Sequence, residues 1–519
     1  IIYRAQKFTR RNSFVVGSAA LAFLILIGGI AAVGWQARIA NAERVKAERR
    51  FNDVRTLANS FMFEINEKIA ESPIQARELL VTRALEYLDT LAAEAEGDAD
   101  LQSELATAYE KIGDVQAELF NPGLGKSSES LTSHQKALAI RENLFFAEPD
   151  NIIRGLHVGQ SISAVGDILS MSGRLSEAAE NYRKAIILNE RLLGLDETNL
   201  AVRRSMASNY ARLGQAVLRS GSLGGALGDY NKSLGIYLEL HAENPADPAL
   251  ERSLSIIYSY IGYVKMEMGE HVESVRYFGD SLALAEKLLV ADERAQPSRG
   301  AVSTAHLWLG VALSEQGKPD EGVVHIRRAL EIQKAIFESD KGNFGEQNAL
   351  ADTYLEMGRA FAIKAGIQAA SREKLSNDAI QAYETAIRNY ETVWQTDGQN
   401  VSVRRQIAFT RRQLADAWKL KGDRVKAIRN FREALAEFEV LTKKDANNTE
   451  WQHDLAYCNL KIGEILWDSG KRTQAVSYGK EANLSLERLS AASPENARIS
   501  RDLDAAQKLE EEMRAAGSL

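Results

Sequence analysis

Apolar and polar positions split the chain into two unlike parts. From Asn12 to Ala37 no residue is charged, and Phe14–Trp35, "FVVGSAALAFLILIGGIAAVGW", is nearly all apolar. As a helix this run would extend roughly 33 Å, enough for a hydrocarbon core of about 30 Å. Trp35 would mark one interface. The run is too long for the core of a cleaved signal, and in "TRRNSF" the aromatic falls one place late for a twin-arginine leader. The pattern predicts a permanent transmembrane helix over 14–35. Next, Phe51, Val54, Ala58, Phe61 and Ile65 fall at alternating three- and four-residue steps. That seam suits a coiled coil and a homodimer through the juxtamembrane helix. It equally suits packing against the helix that Ser72-Pro73 would start, as N-cap and first helical residue.

Beyond residue 100 the apolar pattern repeats, with small residues as punctuation. Gly166, Gly214, Gly262, Gly310 and Gly358 are spaced by 48, and after a nine-residue insertion Ala415 and Gly463 resume the count. A second glycine trails by seven at Gly173, Gly221, Gly269, Gly317, Gly422 and Gly470. Small residues follow at twelve (Ala178, Ala226, Ser274, Gly322, Ala427, Ala475) and at nineteen (Ala185, Ser233, Ser281, Ala329, Ala434, Ala482). An aromatic usually stands three places before the last, as in Tyr182, Tyr230, Phe278 and Phe431. A fixed period of this kind signifies stacked supersecondary units, none able to bury its apolar face alone.

The marks fit a helix-turn-helix unit. The first small residue admits a close partner, the second glycine ends helix A, and the later small residues let helix B nest between neighbours. The order small, small, aromatic, small resembles the tetratricopeptide repeat, which implies an all-α solenoid with a concave binding face. The period departs from the usual 34. Runs such as "KAIILNERLL" predict a helix B longer by about two turns, broken near Pro149, Pro245 or Pro494. An earlier copy around Gly113 carries five extra residues, so eight units are expected over 101–494, with a capping helix over 495–519.

Charge separates the parts again. Residues 1–50 hold nine Lys/Arg and two Glu, a balance of +7; the chain's net −7 leaves −14 for the rest. An acidic array argues against nucleic-acid binding, which needs a basic face. The one cysteine, Cys458, excludes a disulfide framework and reads as a buried small apolar residue.

Three stretches carry a second resemblance: "YRAQKFTRRN" ahead of the span, "RRFNDVRTLANSFMFEI" (Arg49–Ile65), and "ARELLVTRALEYLDTLAAEA" with "LQSELATAYEKIGDVQ" (Ala76–Ala95, Leu101–Gln116). They are similar to the C-terminal half of bacterial membrane-bound serine/threonine protein kinases, specifically over 1–145 and generically beyond. The resemblance implies a cytoplasmic kinase domain upstream of Ile1, a cytoplasmic stub over 1–13, juxtamembrane helices over 36–100, and an array outside the inner or plasma membrane. Lys/Arg counts on either side of the span barely differ, so charge does not fix orientation. The kinase motifs themselves are absent: no glycine-rich loop before a Val-Ala-x-Lys strand, no His-Arg-Asp and no Asp-Phe-Gly. The chain itself is therefore not expected to be an enzyme. A free-standing membrane-anchored scaffold is the alternative.

Other chemistry is thin. "GLGKSS" (Gly123–Ser128) lacks the glycine a phosphate loop needs at Phe120 and reads as an inter-helix insertion. Seven histidines include no i, i+4 pair, so neither metal nor cofactor is expected. The concave face is the candidate site for a protein or peptide. Positions three before, one after and four after each small mark select Tyr263, Met266, Arg359, Arg412, Asp416, Lys419, Leu460, Glu464 and Trp467. Arg404, Arg405 and Arg411 join Arg412 as a local basic patch suited to an acidic segment, in a partner or in the chain's own Glu510–Glu512. Tyr263 and Trp467 read equally well as inter-repeat core.

Overall fold

The computed structural model describes residues 35, 36, 38 and 74–517, apart from 96, 118–126, 173, 292–295, 397–400, 445, 447, 493 and 495. The expected span, Trp35 excepted, lies outside the described residues, as do the 51–65 seam, Ser72-Pro73 and the loop around Gly123. No described helix is long and apolar enough to cross a membrane.

The chain divides into two units, residues 1–80 and 81–519. Helix α1 (Ile74–Glu94) runs across that division. It is followed by α2 (Ala99–Ala117) and α3 (Ser127–Ala147), then α4 (Ile152–Met171) and α5 (Leu175–Leu193), α6 (Leu200–Arg219) and α7 (Leu223–Glu243), and α8 (Pro248–Glu267) and α9 (His271–Ala291). The array continues with α10 (Gln296–Glu315) and α11 (Pro319–Ser339), α12 (Phe344–Ile367) and α13 (Arg372–Thr396), α14 (Val401–Lys421) and α15 (Arg424–Lys444), and α16 (Thr449–Asp468) and α17 (Arg472–Ala492), and closes with α18 (Ala497–Ala515). From α2 each even-numbered helix pairs with the next as a hairpin, and hairpins stack on their sequence neighbours. Helices of 20 residues are about 30 Å long, which makes each layer deep.

The 48-residue marks have a steric cause. A Cβ on Gly166, Gly214 or Gly358 would lie 2.7 Å from the ring of Tyr182, Tyr230 or Tyr383, so each glycine is the socket for an aromatic of helix B. The offset is sixteen residues, and the nine-residue insertion carries the sixth aromatic to Tyr383. In the first hairpin the five extra residues bring His134 into the slot, against Gly113. The eighth slot holds Gly479, and Leu509 and Met513 of α18 fill the space.

The second glycines end helix A in left-handed conformation, with φ from 76° to 98° at Gly221, Gly269, Gly317, Gly422 and Gly470. The next residue's N–H bonds five back, as Ser222 to Val217 and Lys318 to Leu313, which satisfies carbonyls the helix end would orphan. The sixth hairpin lacks this glycine and closes instead through a 3-10 turn, Ala369–Ser371. Fifteen residues before five of the marks an Asn or Asp caps helix A: Asn151, Asn199, Asp247, Asn343 and Asn448 each accept a backbone N–H of the first turn, and Asn496 does so for α18. Cys458 is free and buried.

One hairpin carries a polar joint. His306 of α10 and His325 of α11 approach Nδ1 to Nδ1 at 2.9 Å. Burial, with the charges of His325 and Arg328, pushes the His306 pKa down to about 4. Below pH 6.5 the unfolded chain takes up a proton that the folded chain refuses, so stability should fall as pH drops towards 4. At pH 5 the loss from this residue is about 2 kcal/mol. Urea melts of the wild type and His306→Gln at pH 7 and pH 5 check it; parallel falls in both proteins would refute the assignment.

Candidate functional site

Stacking with a small rotation per unit curls the array until distant layers meet. The turn after α8 approaches the start of α18: a Cβ on Gly269 would stand 3.8 Å from the Cβ of Ala497. Helix α18 thereby closes the concave face into a channel with two chambers. The first, of about 550 Å³, is bounded by α6, α8 and α10 on one side and by α16 and α18 on the other. The second, of about 560 Å³, lies between α8, α12, α14, α16 and α18.

The first chamber is aromatic. Tyr230 and Tyr260 pack at 5.2 Å between centroids, Tyr263 meets Trp308 edge-on at 5.6 Å, and Trp308 stacks over Phe278 at 6.3 Å. Such pairs hold one another's orientation beyond their area burial. Ser255 and Ser259 bond to Ser281 and so fix α8 on α9 behind the rings. The chamber's wall is largely apolar, with Arg219, Glu267, Glu450 and Arg498 among its lining.

The second chamber is ionic. Arg359 bonds Glu315 at 2.6 Å and lies 3.6 Å from Glu356. Arg412 is held between the rings of Phe409 and Tyr457, each 4.5 Å away, and reaches Asp454 at 3.1 Å. Tyr457 donates to Asp416 at 3.0 Å, and His453 meets Asp502 of α18 at 2.9 Å. Burial raises the Asp416 pKa, against the pull of Arg412. Asp454 is held below the ordinary carboxylate value: burial would raise it, and Arg412 and Arg405 more than reverse that.

The residues singled out from sequence separate by register. Tyr263 lines the aromatic chamber; Met266, Arg359, Arg412 and Asp416 line the ionic one, Met266 being also part of the core. Leu460 and Trp467 are buried in the core, with Arg472 stacked 3.5 Å over the Trp467 ring. Lys419 and Glu464 pair with each other at 2.5 Å, and Glu464 also takes Lys461. The basic patch is matched within the chain: Arg404 by Glu437, Arg405 by Glu450 and Asp454, Arg411 by Glu391, and Arg412 by Asp454. No net positive surface remains there, and Glu510 pairs with Arg514 rather than with these arginines.

Sequence reasoning passed over Tyr260, Trp308, Glu267, Glu450 and Arg498. Tyr260 and Trp308 both stand two before their marks, Gly262 and Gly310, a position that the rule did not select. A large aromatic at that register in successive units was the available signal. Glu450 and Arg498 carried none, because they reach the chamber through curvature. Among the described residues no group of His, Cys, Asp and Glu could hold a metal.

Residues 158–197 match the tetratricopeptide repeat family. The sequence matches no curated protein. Among solved structures, the chain is similar to the apo form of RapI at 12% identity and TM-score 0.45, over 84% of this chain and 99% of that one. It is also similar to aspartyl phosphate phosphatase F from Bacillus subtilis, at 14% and 0.44 over 82% and 93%, and to BtubC from P. vanneervenii, at 18% and 0.39 over 51% and 91%. The described part of the chain is thus an all-α, tetratricopeptide-like solenoid of eighteen helices.

Proposed function

We propose that the array captures a segment of a partner protein in its channel, seating a large apolar side chain in the aromatic chamber. The observation that carries this reading is the convergence of Tyr260, Tyr263 and Trp308 on one concave space. Tyr263 and Trp308 are half-buried, packed against the core on one side and lining this space on the other. Aromatic anchors in desolvated pockets dominate binding energy. Panning a random peptide display library on the full chain should enrich sequences with a Trp, Phe or Leu anchor. The pair Tyr263→Ala/Trp308→Ala should weaken enriched peptides by about tenfold or more. Unchanged capture by that variant would remove the chamber from the mechanism.

We propose further that this array is the sensory half of a membrane-anchored serine/threonine protein kinase, facing the periplasm or exterior. The resemblance over residues 1–145 supports this. A cysteine introduced at Ser518 should react with an impermeant reagent in intact cells; labelling only after lysis would reverse the orientation. A coding sequence lacking kinase motifs upstream of Ile1 would favour the free-standing scaffold.

A further inference from the structure

Two residues line both chambers: Glu267, in the last turn of α8, and Arg498, in the first turn of α18. Every other charged side chain discussed at the channel has a partner. Glu315 holds Arg359, Asp454 holds Arg412, Arg405 holds Glu450, and His453 and Arg501 hold Asp502. Arg219 is bonded to the carbonyl oxygen of Ser170. Among the described residues the side chains of Glu267 and Arg498 have neither a hydrogen-bond nor an ion-pair partner, and the Nε of Arg498 is buried without one. Yet they feel each other: burial opposes the Arg498 charge, and Glu267 and then Asp454 hold its pKa above the ordinary value. The Glu267 field is likewise the leading cause that raises the pKa of Tyr263.

Two half-buried opposite charges that do not touch leave room for a group offering one donor and one acceptor. A carboxylate at Arg498 would also face Glu267, Glu450 and Asp454, while an ammonium at Glu267 would face Arg498. A neutral amide satisfies both without adding charge.

We propose that Glu267 and Arg498 form a clamp for a backbone amide of an extended peptide, the carboxylate accepting its N–H and the guanidinium donating to its carbonyl. The clamp rests on the peptide-binding reading and sharpens it: the amide sits at the waist between the chambers, its apolar side chain in the aromatic one. The clamp reads backbone, so it holds the segment whatever residue comes next.

Three small probes separate the parts: indole, N-acetyl-L-tryptophanamide and N-acetyl-L-tryptophan, titrated into the full chain by calorimetry or ligand-observed NMR. The amide should bind about tenfold more tightly than indole, as charge-assisted hydrogen bonds require. The pair Glu267→Ala/Arg498→Ala should bring the amide and indole to equal affinity. Should the alanines disturb the docking of α18, as a shifted melt would reveal, Glu267→Gln keeps the shape and should cut the preference to about threefold. Tighter binding of the carboxylate than of the amide would overturn the clamp in favour of an anion receptor. So would an amide preference that survives in the variants. Indole that binds without any amide preference sinks the clamp alone, whereas indole that fails to bind sinks the chamber reading and the clamp with it.

Discussion

Replacing Asp454 with alanine should cost the array about 3–5 kcal/mol, the largest loss expected from any single polar substitution described above. Asp454 is fully buried in α16, and two guanidinium groups of α14 converge on it, Arg412 at 3.1 Å and Arg405 at 3.4 Å. Arg412 is only 5% exposed, its guanidinium held between Phe409 and Tyr457. Removing the carboxylate leaves two like charges in a poorly solvated seam between hairpins seven and eight. The pair as a whole is nearly neutral in its contribution, because desolvating both partners offsets their attraction. Asp454→Leu combined with Arg412→Met should therefore recover most of the stability. Urea titrations of the three proteins check this. An alanine variant within 1 kcal/mol of wild type, or a double variant no better than the single, would show that the seam is wetter than its geometry indicates.

Gly310→Val should cost about 3 kcal/mol, at the upper end of overpacking penalties. A Cβ on Gly310 would sit 2.6 Å from the carbonyl oxygen of Gly322 as well as from Ile326, and a Cβ on Gly322 would meet the carbonyl of Gly310 at 2.5 Å. Here the aromatic of the slot is replaced by Ile326, so α10 and α11 approach backbone to backbone and nothing can turn aside. Gly262 offers the control. Its Cβ would touch the Phe278 ring at 3.2 Å, which a small shift relieves, and the gain of about 1 kcal/mol for alanine over glycine in a helix offsets the crowding. Gly262→Ala should melt close to wild type while Gly310→Val melts many degrees lower. Equal melting points would mean that the spacing of marks, rather than the closeness of the helices, is what the glycines serve.

How far the chain can be read without coordinates depends on the range of each interaction. The sockets and their aromatics are sixteen residues apart, within one hairpin, so period and fold were plain from Gly166, Tyr182 and their copies. The Asn and Asp caps, fifteen before five of the marks, were equally local and went unread. The three-and-four rule selected Tyr263, Met266 and Arg359, which line the channel, and passed over Tyr260 because both faces of helix A are partly apolar. The arginines of α14 looked like a patch because their acids, Glu391, Glu437, Glu450 and Asp454, lie a helix or a repeat away. What could not be read at all was the meeting of α8 with α18, which accumulates from small rotations of successive units.

That meeting changes how such a chain should come apart. Ordinary repeat arrays fray inward from their ends, each unit indifferent to those beyond its neighbours. Here α18, with α16, forms one side of a chamber whose opposite side, α6, α8 and α10, is in the middle of the chain. A protease that trims the C-terminus, or a partner that peels α18 away, would be felt at Trp308 with no intervening unit unfolding. Helix α18 is thus a latch on the centre of the array, and a segment held in the channel would keep the latch shut.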